Sequence, residues 1–316
     1  MIDSALITGC NDRRAETRHN ILARLDDSGK TLHDAIRDKG LYFRVSLTST
    51  CNLACPFCHN EGAPRGGCLA EVDFLCKAID TALSLGFDRI QFTGGEPLLH
   101  PHISKILRRA TQQFPDVGIT TNGVLLERYL PQMIDAEITR IHISLQQQSL
   151  SSTGTGPWKV PSWLGPILNQ AEKGAFILRL NLPVQHDRLN ETRQFLKDME
   201  AFDCNIRLFS VLPTDHNPAF EYPLDRVLEI ARTENKQRHR KRCLGRVTVR
   251  KYFEPSGIRC GVCPQRHVCQ EQSRSLRLGA DKMLRPCLAT REWDIPLQYR
   301  SMAEAMEEAT VFAIDF

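Results

Sequence analysis

The chain reads as an α/β protein on a parallel sheet with a cysteine-rich C-terminal module, and three observations predict this. Strand-like and helix-like segments alternate between residue 41 and about residue 212, the pattern left by successive right-handed crossovers. The residues that carry chemistry fall just after strands, where α/β folds gather their ligands. Seven of the twelve cysteines lie in two groups, at 51–58 and 260–287.

Residues 1–40 are polar and charged, with helical periodicity at 21–25 and 32–36 ahead of Gly40, and form a helical lead-in. Strands are then expected at 41–47, 90–93, 117–121, 140–145, 176–182 and 206–212, where β-branched and aliphatic residues dominate. Helices fall between them at 69–85, 103–114, 124–135, 162–173 and 189–202, where apolar residues recur at helical spacing. The division expected is 1–40 lead-in, 41–235 sheet unit and 236–316 C-terminal module. The Ser-, Thr-, Gly- and Pro-rich stretch 146–163 leaves a strand on the ligand-gathering rim. It reads either as a substrate loop or as a surface excursion.

At 316 residues the chain can bury a full core. It contains no run of eighteen apolar residues, and Met1-Ile-Asp-Ser lacks the basic start and apolar stretch of a signal peptide. A cytoplasmic protein that does not enter a membrane is therefore expected, and in that compartment clustered cysteines point to metal or redox chemistry. The net charge of +4 is too small to indicate a nucleic-acid or membrane partner. Residues 232–251 concentrate nine Lys and Arg side chains. That segment is either a solvated linker or a contact for an anionic substrate; no aromatics interleave to stack bases, which argues against nucleic acid.

Cys51-Asn-Leu-Ala-Cys55-Pro-Phe57-Cys58 offers three thiolates from one short loop. A four-iron, four-sulfur cluster normally takes four, so three leave one iron for a substrate or cofactor, and the amino and carboxylate groups of S-adenosylmethionine can fill that position. The alternatives are a structural zinc, which wants a fourth protein ligand, or buried apolar cysteines. Downstream, Arg89-Ile-Gln-Phe-Thr93-Gly94-Gly95-Glu96-Pro97 is a strand ending in two glycines, where the backbone can approach another group closely. Thr120-Thr121-Asn122-Gly123 follows the next strand as a turn.

The CxxxCxxC triplet with Phe57 before its last cysteine, together with Gly94-Gly95-Glu96-Pro97, resembles the radical S-adenosylmethionine (SAM) superfamily, and the likeness covers most of residues 41–290. The resemblance implies a partial (β/α)6 barrel, with a [4Fe-4S] cluster on Cys51, Cys55 and Cys58 that binds S-adenosylmethionine. It implies that Thr93, Gly94, Gly95 and Glu96 meet the amino group of the cofactor's methionine part. Phe57, Thr121 and Asn122 are further cofactor contacts, and Ser144, Arg179 and Asn181 stand where related enzymes meet its ribose or carboxylate. Reductive cleavage would give a 5′-deoxyadenosyl radical, with a flavodoxin- or ferredoxin-type protein as electron donor and a small polar molecule as substrate.

Cys260-Gly-Val-Cys263, Cys269 and Cys287 form the second group. They can hold a second [4Fe-4S] cluster or a zinc, and the segment is similar to the auxiliary-cluster modules called twitch and SPASM. It also resembles the GTP 3′,8-cyclase group. In that group one CxxC is followed by a third cysteine a little over a dozen residues on and by paired arginines; here Cys269 is additional, Cys287 lies farther away, and Pro264-Gln-Arg-His267 follows the CxxC. On those differences the expected chemistry is epimerisation or oxidation of an aminosugar, nucleoside or nucleotide, with Cys243 as hydrogen donor. GTP cyclisation, peptide modification and a non-catalytic cluster- or zinc-binding role are the alternatives.

Overall fold

The computed structural model describes residues 4–55, 58, 61, 63, 66–146, 158–184, 188–210, 224–240, 246–250, 274–287, 293–299 and 301–315. Strands β1 (Tyr42–Ser46), β2 (Arg89–Thr93), β3 (Asp116–Thr121), β4 (Arg140–Ser144), β5 (Ile177–Val184) and β6 (Asn205–Ser210) pair in parallel in chain order. β7 (Val247–Arg250) adds to β6, and β8 (Ser275–Leu278) returns to pair in parallel with β1. Two short antiparallel strands, β9 (Met283–Arg285) and β10 (Ile295–Pro296), finish that edge. One sheet thus runs across the boundary drawn at residue 235. The described strands of 236–316 extend the six-stranded unit on both sides.

Each strand sorts its residues by alternation. Phe43, Val45, Ile90, Phe92, Val117, Ile119, Ile141, Ile143, Ile206 and Leu208 are completely buried, and form one core with the apolar stripes of the crossover helices. Those helices are α3 (Val72–Ser84), α4 (Ile103–Thr111), α5 (Leu126–Asp135), α6 (Leu164–Glu172), α7 (Leu189–Asp198) and α8 (Leu224–Arg240). In α3 the buried positions Leu75, Ala78, Ile79 and Ala82 follow the helical spacing. The opposite strand positions carry Arg44, Gln91, Gly118, Thr120, His142, Arg179, Arg207 and Arg277 in matched register. A polar face of this kind lines the inside of a curled sheet, and the curl is strong enough for Arg44 on β1 to act electrostatically on His142 on β4.

The lead-in forms α1 (Ser4–Asp27) and α2 (Leu32–Lys39). Thr31 and Asp34 make a capping box at the start of α2, and Gly40 ends it at φ 62°. Lys39 Nζ donates to Ala313 O at 2.9 Å and Ile314 O at 2.7 Å, capping the last turn of α9 (Met302–Asp315). No helix among the described residues is long and apolar enough to cross a membrane.

Candidate active site

The cysteine loop is closed at its base. Beyond β1, Thr48 forms a single antiparallel bridge with Leu69. The Thr48 hydroxyl donates to Cys68 O at 3.0 Å, Ser49 N donates to Cys68 O at 2.9 Å, and Cys68 N donates to the Ser49 hydroxyl at 2.9 Å. Leu69 had been expected to open the following helix; its pairing with Thr48 moves the helix start to Val72.

Outside that stem Cys51, Cys55 and Cys58 form no disulfide, with Cys51 and Cys58 exposed and Cys55 partly so. Cys58 N donates to Cys55 O at 3.2 Å, and Leu53 N donates to Cys51 Sγ at 3.4 Å. Desolvation pushes the Cys51 thiol upward in pKa, opposed mainly by the Leu53 N–H. Among the described residues no three His, Cys, Asp or Glu side chains converge as they would on a single metal ion. In a four-iron cluster each thiolate serves its own iron, and three loop thiols held outside the core fit that group.

The Gly-Gly pair explains itself through the stem. A Cβ on Gly95 would lie 2.3 Å from Thr50 O and one on Gly94, at φ 153°, would lie 2.5 Å from Thr48 O. Gly95 N and Glu96 N donate to Thr48 O at 2.7 Å and Thr50 O at 2.9 Å. The close approach expected from sequence is therefore made, in part, to the backbone that carries the cysteines.

Glu96 is fully buried, and its carboxylate accepts from Leu98 N at 3.0 Å, the Thr121 hydroxyl at 2.8 Å and Asn122 N at 2.8 Å. Burial raises its pKa and these three donors oppose the rise. Glu96 thus braces the β2 loop to the β3 turn, and Asn122 carries the brace onward: its Nδ2 donates to Asn52 Oδ1 at 2.7 Å and approaches Cys51 Sγ at 3.8 Å. Trp163 packs on the same turn, within 2.4 Å of where a Cβ on Gly123 would stand.

Deeper on the inner face, Glu61 lies at φ 53° with its carboxylate against Arg44, at 2.9 Å from Nε and 2.5 Å from a terminal nitrogen. Thr93 donates to it at 3.2 Å, and Arg277 Nε stands 3.8 Å away. Across the barrel Ser144 lies directly opposite Asn181. Asn181 is buried, and its Oδ1 accepts no hydrogen bond among the described residues. That unmet acceptor suits a ligand with N–H or O–H groups, such as the amino acid or ribose portion of S-adenosylmethionine. Arg179 lies two residues earlier on β5, beside His142, and Arg207 faces Asn181 from β6. Burial and the guanidiniums of Arg179, Arg140, Arg207 and Arg44 hold His142 well below its ordinary pKa of 6.5.

Thr93, Gly94, Gly95, Glu96, Thr121, Asn122, Ser144, Arg179 and Asn181 thus all lie at or near one end of the parallel strands or on their inner face. Cys287 is buried just past β9. Phe57, Cys243, Cys260, Cys263 and Cys269 lie outside the described residues. The sequence reading missed Arg44, Glu61, His142, Arg207 and Arg277. The signal was there for four of them: Phe43-Arg44-Val45, Ile141-His142-Ile143, Ile206-Arg207-Leu208 and Leu276-Arg277-Leu278 each set a basic residue between two apolar ones in a strand, which turns it to the inner face.

Residues 45–148 match the family model described as the radical SAM superfamily. A probable GTP 3′,8-cyclase of Methanosarcina mazei is 28% identical over 313 residues, covering 93% of this chain and 91% of that protein. A GTP 3′,8-cyclase of Chlorobaculum tepidum is 42% identical over 106 residues, about a third of either chain (33% and 32%). Among solved structures, Streptococcus suis SuiB bound to S-adenosylmethionine superposes with a TM-score of 0.65 at 12% identity, covering 84% of this chain and 65% of that one. At that identity the likeness concerns the fold.

Proposed function

We propose that the chain, as a radical SAM enzyme that uses a [4Fe-4S] cluster with S-adenosylmethionine, cyclises a purine nucleoside triphosphate in the manner named by its GTP 3′,8-cyclase relatives. The inner-face arginines carry this reading. Arg44, Arg179, Arg207 and Arg277 come from four strands into one lumen, and guanidinium groups are suited to grip phosphate. The likeness to the M. mazei protein over 93% of the chain supports cyclisation above the epimerisation or oxidation first expected.

When bound, the cluster and S-adenosylmethionine supply a 5′-deoxyadenosyl radical that abstracts hydrogen from a substrate carbon. Cys51, Cys55 and Cys58 hold the cluster at the rim. The Gly94-Gly95 backbone and Asn122, fixed by the Glu96 brace, fit against the methionine portion, with Ser144 and Asn181 toward the ribose and carboxylate. Arg179 and Arg207 take the polyphosphate, which orients the sugar toward the rim. Cys260, Cys263, Cys269 and Cys287 hold an auxiliary cluster, and a flavodoxin- or ferredoxin-type protein delivers the electron in the cytoplasm.

The test is an anaerobic turnover of reconstituted protein with S-adenosylmethionine, dithionite and GTP in deuterated water. The expected result is GTP-dependent 5′-deoxyadenosine and a product with a new bond between the ribose 3′ carbon and purine C8. A product with solvent deuterium on carbon and no new ring would restore epimerisation, and loss of that deuterium in Cys243→Ala would make Cys243 its donor.

A further inference from the structure

One titratable group on the inner face has no task in that scheme. His142 sits on β4 between Thr120 on β3 and Arg179 on β5, while its neighbours Ile141 and Ile143 are fully buried in the core. Among the described residues the charged groups that act on it most are Arg179, Arg140, Arg207 and Arg44. Arg140 pairs with Asp116 at 2.6 Å and Arg44 with Glu61, and Arg179 and Arg207 have contacts of their own. On the β3 side the facing Thr120 hydroxyl accepts from Gln91 Nε2 at 3.1 Å. His142 itself makes no hydrogen bond to another described residue. A neutral imidazole is therefore set among guanidiniums, which can only donate, in a field that opposes its protonation. Burial is the larger cause of its lowered pKa and the guanidiniums add to it; a phosphate group entering the same space offsets the guanidiniums' share.

We infer that His142 makes the anion seat proton-coupled: when a dianionic group binds against Arg179 and Arg207, the imidazole takes one proton from solvent and becomes a further donor to the anion. This rests on the reading of the lumen as a polyphosphate seat. The device favours the anion most where protons are available, and it releases the anion together with the proton.

Radiolabelled sulfate is the probe, because it stays a dianion and brings no titratable proton of its own. Equilibrium dialysis against the reconstituted full-length protein, repeated across about pH 6 to 8, reads the linkage directly. In wild type the affinity for sulfate should rise toward about tenfold per pH unit as pH falls, and GTP should displace the ion. In His142→Asn, or His142→Gln if the first variant folds poorly, the slope should flatten. Displaceable sulfate with a flat profile in wild type, or an unchanged slope in the variants, overturns the coupling and leaves the anion seat standing. Sulfate that fails to bind, or that GTP does not displace, overturns the seat itself and the coupling with it.

Discussion

The strand-end loops after β1–β3 and the inner face of β4–β6 are both polar, yet they differ in what their polar groups meet. In the loops almost everything is met by protein: Glu96 holds three donors, Gly95 and Glu96 are tied to the cysteine stem, and Asn122 is fixed from two sides. On the inner face a buried Asn181 oxygen and the His142 ring have no such partner among the described residues, and the surrounding charge is cationic. Buried polar groups that are satisfied rigidify a site, whereas unmet ones await a ligand. One region is built to hold a fixed geometry, and the other is the proposed anion seat.

Substitutions should separate the two. The largest effect is expected from Glu96→Ala, which strands the Leu98 and Asn122 N–H groups and the Thr121 hydroxyl. A loss of about 3 to 5 kcal/mol, with poor cluster retention, should appear in urea unfolding and iron content, since each stranded donor costs about 1 to 3 kcal/mol. Next comes Gly95→Ala. Its Cβ would meet backbone, not a movable side chain, so about 1 to 3 kcal/mol of overpacking is expected together with weakened S-adenosylmethionine binding. If the urea midpoint of that variant matches wild type, the stem contact is not a constraint.

On the other side of the comparison, Arg207→Ala should raise KM for the nucleotide by about tenfold to a hundredfold, in line with a charged hydrogen bond of about 1.5 to 3 kcal/mol, while the urea midpoint moves little. A large fall in stability with unchanged KM would put Arg207 with the braces instead. The smallest effect is a pH dependence. The folded state depresses the pKa of His142, so the unfolded chain binds the extra proton and wild type loses stability as pH falls below about 6.5. The difference in unfolding free energy between His142→Asn and wild type, without added anion, should be constant above about pH 7.5 and move in favour of the variant below about pH 6.5. A difference that stays flat over that range would mean that burial and the arginines do not depress the His142 pKa.

Much of this division was legible in the residues. The cysteine triplet, Gly94-Gly95-Glu96-Pro97 and Asn122-Gly123 are local patterns whose meaning survives folding, and all six expected strands lie within a residue or two of those found. Glu96 is expected to meet the cofactor; that its carboxylate also braces the β3 turn depends on where that turn arrives, which no local pattern reports. Leu69 continued the apolar rhythm of the helix after it, and only its distant partner Thr48 takes it into the stem. β7 and β8 were missed because four-residue strands carry little periodicity, and their existence depends on edges supplied by β6 and β1. Arginine was read one residue at a time, at 179, although the same apolar-basic-apolar triplet recurs on other strands.

The seam between β8 and β1 carries a consequence for how the molecule assembles. It pairs segments more than two hundred residues apart and sets Arg277 directly opposite Arg44, two like charges that would push the strands apart. Glu61, reaching back from the cysteine loop, lies against both. Long-range parallel pairing is slow to form, and here it is also opposed until that carboxylate is in position. β8 therefore docks on a surface whose charge is set by the loop, and the cysteine loop is expected to be in place before the seam closes.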